Sequence, residues 1–238
     1  MDVAPGIMSV GQTKGGFVHA YLVEVGRSLT LIDTLFDADA HVILNQLRRR
    51  GRAVSDIDSI VLSHGHRSHL GGVALRKRLS GAKVYSHQWE ADIISGDRKA
   101  QAVSLRPMRP LLAYPFQAGL GLGLGRHRAC PVDELLADGD SVGPLQVLHT
   151  PGHTPGHLAF FWPERRALVA GDAIATWPNL SAGWPGLNLN KTQHRSSLRR
   201  MASLSPEVIG VGHGEPITAR GAEHIEGLLE APTPRGGR

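Results

Sequence analysis

The segment "SHGHRSHLGG", residues 63–72, constrains this chain more than any other part of its sequence. It carries His64, His66 and His69 directly after the apolar run "IDSIVL". Alternate residues at the end of a strand point to the same side, so His64 and His66 can share a face. His69 can return to that face from the start of a helix, where Gly71 permits a tight backbone turn. Three imidazoles at this spacing indicate a metal site, because imidazole binds zinc, iron and related ions.

Three later segments have a common order, in which an apolar run is followed by a small residue and then by a candidate ligand. They read "LHTPGHTPGH", "LVAGDA" and "VIGVGHGEP", and they supply His153, Asp172 and His213. Strand ends converge on one edge in layered β structures, so we expect these side chains to meet the first cluster. His149 and His157 flank His153, and they are predicted to support the ligands rather than to bind an ion.

The hydrophobic periodicity predicts strands and helices in both halves of the chain. Strands are predicted over residues 17–25, 29–34, 57–63, 82–87, 144–149, 157–162, 167–170 and 208–213. Helices are predicted over residues 37–51, 71–79, 90–94 and 192–204. This mixture predicts two β-rich layers that are covered by helices.

Residues 105–130 break the alternation with several prolines and the segment "AGLGLGLGRH". Two interpretations stay open for this insertion, a lid over a site or a passive surface loop. The chain is predicted to form a single domain over residues 1–230, in which residues 105–130 are a lid-like insertion. Residues 231–238 have the composition of a disordered tail.

Composition excludes several classes of protein. Cys130 is the only cysteine, which excludes an internal disulfide and favours a cytoplasmic location. No apolar run approaches the ~18 residues of a membrane span, and the first residues lack the features of a secretory signal. The net charge is +5, but the basic residues are scattered and their densest runs, 48–52 and 76–78, fall near predicted helix ends. We therefore expect a small-molecule partner, without membrane or nucleic acid, and leave the oligomeric state open.

The succession of "HGHRSH", "TPGHTPGH", "GD" and "GHG" resembles the motifs of the metallo-β-lactamase fold superfamily, over about residues 17–216. That group includes thioesterases of the glyoxalase II type, lactonases, β-lactamases and nucleases. The resemblance implies an α+β fold, a four-layer αβ/βα sandwich with a di-metal site at one edge, usually of zinc. Asp33, at the end of "LTLID", matches a structural aspartate of the family.

The resemblance also implies which side chains hold the metal ions. Asp172 would bridge two ions, with His64, His66 and His153 on the first and His69 and His213 on the second. The family pattern is HxHxDH, and this chain has Ser68 in place of the aspartate. A serine hydroxyl stays protonated and uncharged, so we expect a strong first site and a weakened second site. Zinc is the expected ion, and manganese or iron are the alternatives.

Three interpretations of Ser68 stay open. The protein works with one strongly bound ion, or a second ion binds with water or the Ser68 hydroxyl completing its ligands, or the site has decayed. In the first two cases the resemblance implies a hydrolase that uses a metal-bound hydroxide on an ester, thioester or lactone. Asp172, His69 and Ser68 are then the residues expected to orient the attacking group. The alternatives are β-lactamase-like, phosphodiesterase or nuclease activity, or a non-catalytic metal-bound binding protein.

Further residues bear on the substrate. The apolar insertion favours a partly hydrophobic ester, thioester or lactone. Trp177, Leu180 and Trp184 follow Asp172 and either line a pocket or belong to the core. Arg67 is interpreted as a surface or supporting residue, with the alternative that it neutralises an anionic substrate group.

Overall fold

The computed structural model describes residues 1–39, 41–101, 105–124 and 126–231. The strands are β1 Asp2–Ala4, β2 Ile7–Gln12, β3 Val18–Val25, β4 Ser28–Ile32, β5 Ile57–Val61, β6 Lys83–His87, β7 Glu134–Leu136, β8 Ser141–Val142, β9 Leu145–His149, β10 Leu158–Trp162, β11 Ala167–Ala175 and β12 Val208–His213. The helices are α1 Lys14–Phe17, α2 His41–Arg49, α3 Arg67–Leu70, α4 Val73–Ser80, α5 Gln88–Ile94, α6 Tyr114–Gly121, α7 Lys191–Ser203 and α8 Gly221–Glu230. The predicted tail, beyond residue 231, lies outside these ranges.

The strands pair into one mixed sheet in the order β7-β6-β5-β4-β3-β12-β11-β10-β9-β8, with β2 on β3 and β1 on β2. Its two halves join where β3 meets β12, at the single pair Val18 and His213. Side chains from both halves, among them Tyr21 and Phe160, pack in one buried cluster. The two halves therefore stack face to face around a central core.

Strand alternation places the outer layers. In β3, Leu22 faces a cluster shared with α2 and α4, whereas Tyr21 and Val23 face the central core. In β11, Leu168 packs in a third cluster that includes residues of α7 and α8, whereas Val169 faces the centre. Successive side chains of a strand point to opposite faces, so each half of the sheet is buried on both sides. The resulting order of layers, helix, sheet, sheet and helix, confirms the predicted α+β sandwich.

Most predicted elements are present with shifted ends. β12 has the predicted limits, but the helix expected over 37–51 is shorter because the Asp39 carboxylate accepts the backbone N–H of His41 (3.1 Å) at its start. The sequence prediction missed β1, β2, β7, β8, α1, α6 and α8. β1, β7 and β8 are only two or three residues long, too short for a periodic pattern. No helix in the described ranges is long and apolar enough to cross a membrane.

The insertion contributes a helix next to the sheet edge that bears the histidines. Its residues Phe116 and Leu120 pack with Trp184 and Leu187 in a small apolar cluster. This contact places α6 beside the segment that follows β11. The division of the chain into one domain with a lid-like insertion stays a prediction.

Candidate metal centre

The six predicted ligand side chains converge at one edge of the sandwich. His64 and His66 lie in the loop after β5, and His69 lies in α3. The other three come from the loop after β9, from β11 and from the last residue of β12: His153, Asp172 and His213. All six are buried, with exposed fractions of 4% or less. Residues distant in sequence thus lie together, as the motif pattern predicts.

The first group of ligand atoms matches the size of one ion. His66 Nδ1 lies 3.0 Å from His153 Nε2. Asp172 Oδ2 lies 3.6 Å from His64 Nε2 and 3.4 Å from His153 Nε2. Ligands about 2.0–2.1 Å from a tetrahedral zinc ion lie roughly 3.3 Å from one another. The four side chains therefore fit a divalent ion at their centre.

The second group has fewer protein ligands. Asp172 Oδ1 lies 3.1 Å from His69 Nε2, and Asp172 Oδ2 lies 3.3 Å from His213 Nε2. Asp172 thus contacts both groups, as a bridging ligand must. Ser68 is half-buried and lines the same cavity as Asp172 and His213. The second group thus has two imidazoles and the shared carboxylate, one imidazole fewer than the first group.

Asp33 orients two of the imidazoles. Its Oδ2 accepts His69 Nδ1–H at 2.9 Å and the Ser63 hydroxyl at 2.7 Å. Because Ser63 donates its proton to Asp33, its oxygen accepts His64 Nδ1–H at 2.9 Å. With Nδ1 held in these hydrogen bonds, Nε2 is the ring nitrogen of each residue that faces the centre and can bind an ion. His64 Nε2 is buried and has no hydrogen-bond partner within the described ranges, which fits a metal ligand.

The other two Nε2 ligands are held in the same way. His153 Nδ1 donates to Asn188 Oδ1 at 2.8 Å, and Asn188 Nδ2 donates to the Ala182 carbonyl at 2.9 Å. His213 Nδ1 donates to the Gly16 carbonyl at 2.7 Å. These bonds point both Nε2 atoms toward the centre. Asn188 was not predicted from the sequence, because no pattern links residue 188 to residue 153.

Burial keeps the first group neutral. It lowers the pKa of His66 to about 4 and that of His153 to about 3, and it lowers the pKa of His64 well below its usual value. Buried imidazoles lose the hydration that stabilises the charged form. At neutral pH each of these three rings is therefore uncharged and keeps one ring nitrogen with a free lone pair.

The second group concentrates negative charge. Burial lowers the pKa of His69, but the carboxylates of Asp172 and Asp33 outweigh burial and raise it to about 10. Burial raises the pKa of Asp172, but the imidazoles of His213 and His69 outweigh that effect and hold it well below its usual range. A positive charge between His69 and Asp172 is thus strongly stabilised, and either a proton or a metal cation can supply it.

Glu90 ties the two ligand-bearing loops together. Its carboxylate is buried, and its oxygens accept the backbone N–H groups of Gly65 and Gly156, each at 2.9 Å. A Cβ at Gly65 would lie 2.8 Å from Glu90 Oε2, and one at Gly156 would lie 2.7 Å from Glu90 Cγ. Glycine at both positions is therefore required by this contact. Burial raises the pKa of Glu90, opposed by the hydrogen bonds that it accepts.

The sequence analysis placed Glu90 only in a short helix. A role at the site could have been inferred from its position just after β6, because that strand ends at the same edge as β5 and the histidines. His149 and His157 lie outside both ligand groups, and their supporting role stays a prediction. His149 Nε2 lies 2.8 Å from the Pro155 carbonyl, and His157 Nδ1 lies 2.8 Å from the Thr150 hydroxyl.

A cavity of about 450 Å³ opens on the centre. His66, Asp172 and His213 lie in its lining, with an apolar wall formed by Phe36, Phe116, Leu120, Leu124, Trp184 and Leu187. Trp184 stacks on His213 with ring centroids 4.1 Å apart. Trp177 packs behind Trp184 at 5.6 Å, and Leu180 is exposed. Of the three residues with open roles, only Trp184 lines this cavity.

Comparison with known proteins finds relatives over most of the chain. The sequence pattern of the family described as "Metallo-beta-lactamase superfamily" matches residues 13–213. The "Probable metallo-hydrolase YflN" of Bacillus subtilis is 30% identical over 211 residues, with 82% of this chain and 78% of that protein covered. A hydroxyacylglutathione hydrolase of Cereibacter sphaeroides is 28% identical over 181 residues, with 74% of this chain and 54% of that protein covered. The solved structure of TTHA1623 in a di-iron-bound form is 30% identical, with a TM-score of 0.67 over 91% of this chain and 96% of that one.

Proposed function

This chain belongs to the metallo-beta-lactamase superfamily, a group of hydrolases, and from that premise we propose that it hydrolyses carboxylic esters, thioesters or lactones. The observation that carries the proposal is the convergence of five imidazoles and one carboxylate at one edge, where His66, His213 and Asp172 line an apolar cavity. Similarity to a protein named as a hydroxyacylglutathione hydrolase supports thioesters within this class. The proposal includes a small-molecule substrate and a cytoplasmic setting, with which the single buried thiol of Cys130 is compatible.

The proposed first ion is zinc, held by His64, His66, His153 and Asp172, with manganese or iron as alternatives. A divalent ion at this place would polarise a substrate carbonyl and lower the pKa of water. His69 Nε2 and Asp172 Oδ1, 3.1 Å apart, would lie beside the attacking water and orient it. The apolar wall can exclude bulk water from the acyl group, which strengthens polar interactions at the centre.

Hydrolysis of a substrate panel tests the proposal. The panel contains an aryl ester, an acyl thioester, a lactone, a cephalosporin and a phosphodiester, each with zinc, manganese or iron added. We expect turnover of the first three classes. His66→Ala should lower kcat/KM by at least about 10³-fold, because it removes a ligand of the first ion. His41→Ala is the matched control, since His41 is exposed on α2 and should leave turnover unchanged.

Other outcomes would decide between the alternatives. Turnover of the phosphodiester alone would indicate a nuclease or phosphodiesterase, and turnover of the cephalosporin alone would indicate a β-lactamase. Inactivity on every substrate with every metal would favour a metal-bound binding protein. Each of these results would reject the proposed function.

A further inference from the structure

The cavity beside the metal centre has an uneven charge distribution. Two guanidinium groups, Arg67 and Arg126, lie in its lining, and Asp172 is the only carboxylate among the described lining residues. Asp172 contacts the imidazoles of both ligand groups, so it is not available to pair with either arginine. The cavity therefore combines an apolar wall with an excess of positive charge.

Arg67 is fixed in place without an anionic partner. Its Nη1 donates to the Phe36 carbonyl, and its guanidinium carbon lies 4.4 Å from the centroid of the Phe36 ring. A Cβ at Gly71 would lie 2.6 Å from Arg67 Nη1, so the glycine leaves room for this placement. The backbone and the aromatic ring thus hold the guanidinium at the cavity before any ligand binds.

Most of the hydrogen-bonding capacity of Arg67 remains unused. A guanidinium has five N–H donors, and one of them has a hydrogen-bond partner within the described ranges. No carboxylate of those ranges lies within 4.0 Å of it. Asp37, which acts on Arg67 electrostatically, is instead paired with Lys14 at 2.8 Å. A half-buried guanidinium in this state gains from binding an anionic group.

The second arginine comes from a part of the chain that is distant in sequence from the histidine motif. Arg126 belongs to the insertion and is exposed, so it lies where the cavity meets solvent. Arg67 lies between His66 and Ser68, close to the centre. A substrate that reaches from the metal centre along the apolar wall therefore passes both guanidinium groups.

We propose that Arg67, with Arg126, forms a subsite for an anionic group of the substrate. This inference rests on the proposed hydrolysis and specifies its substrate class as an ester or thioester with an apolar acyl part and a carboxylate or phosphate. Guanidinium groups bind both anions through paired N–H···O bonds. The carboxylate would lie on the acyl chain, whereas the phosphate would lie on the leaving group.

Two pairs of thioesters that differ only in charge test the subsite. The first pair is the glutaryl thioester of N-acetylcysteamine and its methyl ester. The second pair is butyryl phosphopantetheine and butyryl pantetheine. We expect the wild-type protein to favour the charged member of one pair by about tenfold or more in kcat/KM, as for a hydrogen bond to a charged group. Which pair shows the preference identifies the anion.

Variants then locate the source of the preference. Arg67→Met keeps an unbranched side chain but removes its charge and its N–H donors, so KM for the charged substrate should rise about tenfold while kcat and the KM of the neutral substrate change little. Arg67→Lys should restore part of the preference, because it keeps the charge but loses the planar donor pair. Arg126→Met should raise KM for the charged substrate less than Arg67→Met does. Arg78→Met, on the exposed face of α4, is the matched control.

Calorimetric binding keeps this inference separate from the proposed function. Thioether analogues of the same pairs are not hydrolysed, so their binding can be measured with or without turnover. Preferential binding of a charged analogue that Arg67→Met abolishes would support the subsite even if no thioester were hydrolysed. Two results would overturn the proposed subsite. The wild-type protein could bind both members of each pair with equal affinity, or Arg67→Met could lower the affinity for both members equally.

Discussion

The side chain at position 68 bears on the expected strength of the second ligand group. The second group has two imidazoles and shares its carboxylate with the first. Ser68 lines the same cavity but brings no negative charge. Divalent ions gain most of their binding energy from anionic and imidazole ligands, so a neutral hydroxyl cannot replace a carboxylate. The expected consequence is unequal affinity for two ions.

Replacing Ser68 by aspartate tests this consequence. Ser68→Asp should raise the affinity for the second ion about 10- to 100-fold, because it adds an anionic ligand beside His213 and Asp172. The measurement is metal content after dialysis against a mild chelator, together with hydrolysis of the panel substrates. Ser68→Asn, similar in size but neutral, is the control and should leave the second ion weakly bound.

Two results would contradict this account. A wild-type protein that keeps two full equivalents of metal against the chelator would show that Ser68 does not weaken the site. A gain in metal content accompanied by a loss of turnover would show that serine serves the reaction itself.

The loops that carry the ligands depend on one another. Glu90, in α5, accepts N–H groups from the loop after β5 and from the loop before β10. This carboxylate sets the spacing between the segments that bear His66 and His153. Short loops that are joined through a buried charged acceptor are more rigid than either loop alone. Glu90 is therefore a positioning residue, which acts through its hydrogen bonds to the backbone of Gly65 and Gly156.

Glu90→Gln should reveal that role. One carboxylate oxygen becomes an NH₂ group that faces a backbone N–H, so one hydrogen bond is lost and a buried donor stays unpaired. We expect a loss of about 1–3 kcal/mol in the free energy of unfolding and weaker binding of the first ion. Urea denaturation of the metal-free protein and metal titration of the folded protein measure the two effects separately.

The control for this variant is Glu226→Gln, at an exposed position of α8, which should change neither quantity. Unchanged metal affinity in Glu90→Gln, at unchanged stability, would show that the contact does not position the ligands.

At the scale of the whole molecule, the sandwich brings four separate segments to one edge. Each segment is connected to a strand or helix that packs in the core, and this packing fixes the position of the segment's first residues. An ion at this edge would connect both halves of the sheet, since His64 belongs to the first half and His153 to the second. The metal centre and the stability of the fold are therefore coupled.

Removing the metal should lower the thermal unfolding midpoint. An ion that binds only the folded chain adds about 2.7 kcal/mol at a free concentration 100 times its Kd. We expect a chelator to reduce the midpoint by several degrees, and zinc to restore it in the wild-type protein but not in His66→Ala. Differential scanning calorimetry measures both. Equal midpoints with and without metal would show that the ligand set holds no ion in the folded protein.

Local patterns in the sequence were sufficient to predict part of the fold and of the candidate site. The limits of β12 and the convergence of His64, His66, His153 and His213 follow from strand alternation and from the order of the motifs. Strands of two or three residues such as β8 have no period to detect. α8 is recognisable only once Ile225 meets its partners in the third cluster. The short strands and α8 form because they pack against segments that are distant in the sequence.

By itself, the sequence determined the layered α+β class and the candidate ligands, because both depend on residue types at short, regular spacings. Only the tertiary structure decided how the ligands are held. The bonds from Asp33 to His69, from Asn188 to His153 and from Glu90 to the two glycine-containing loops join residues 25 to 66 positions apart. No local period relates such partners, because folding alone brings them within hydrogen-bonding distance.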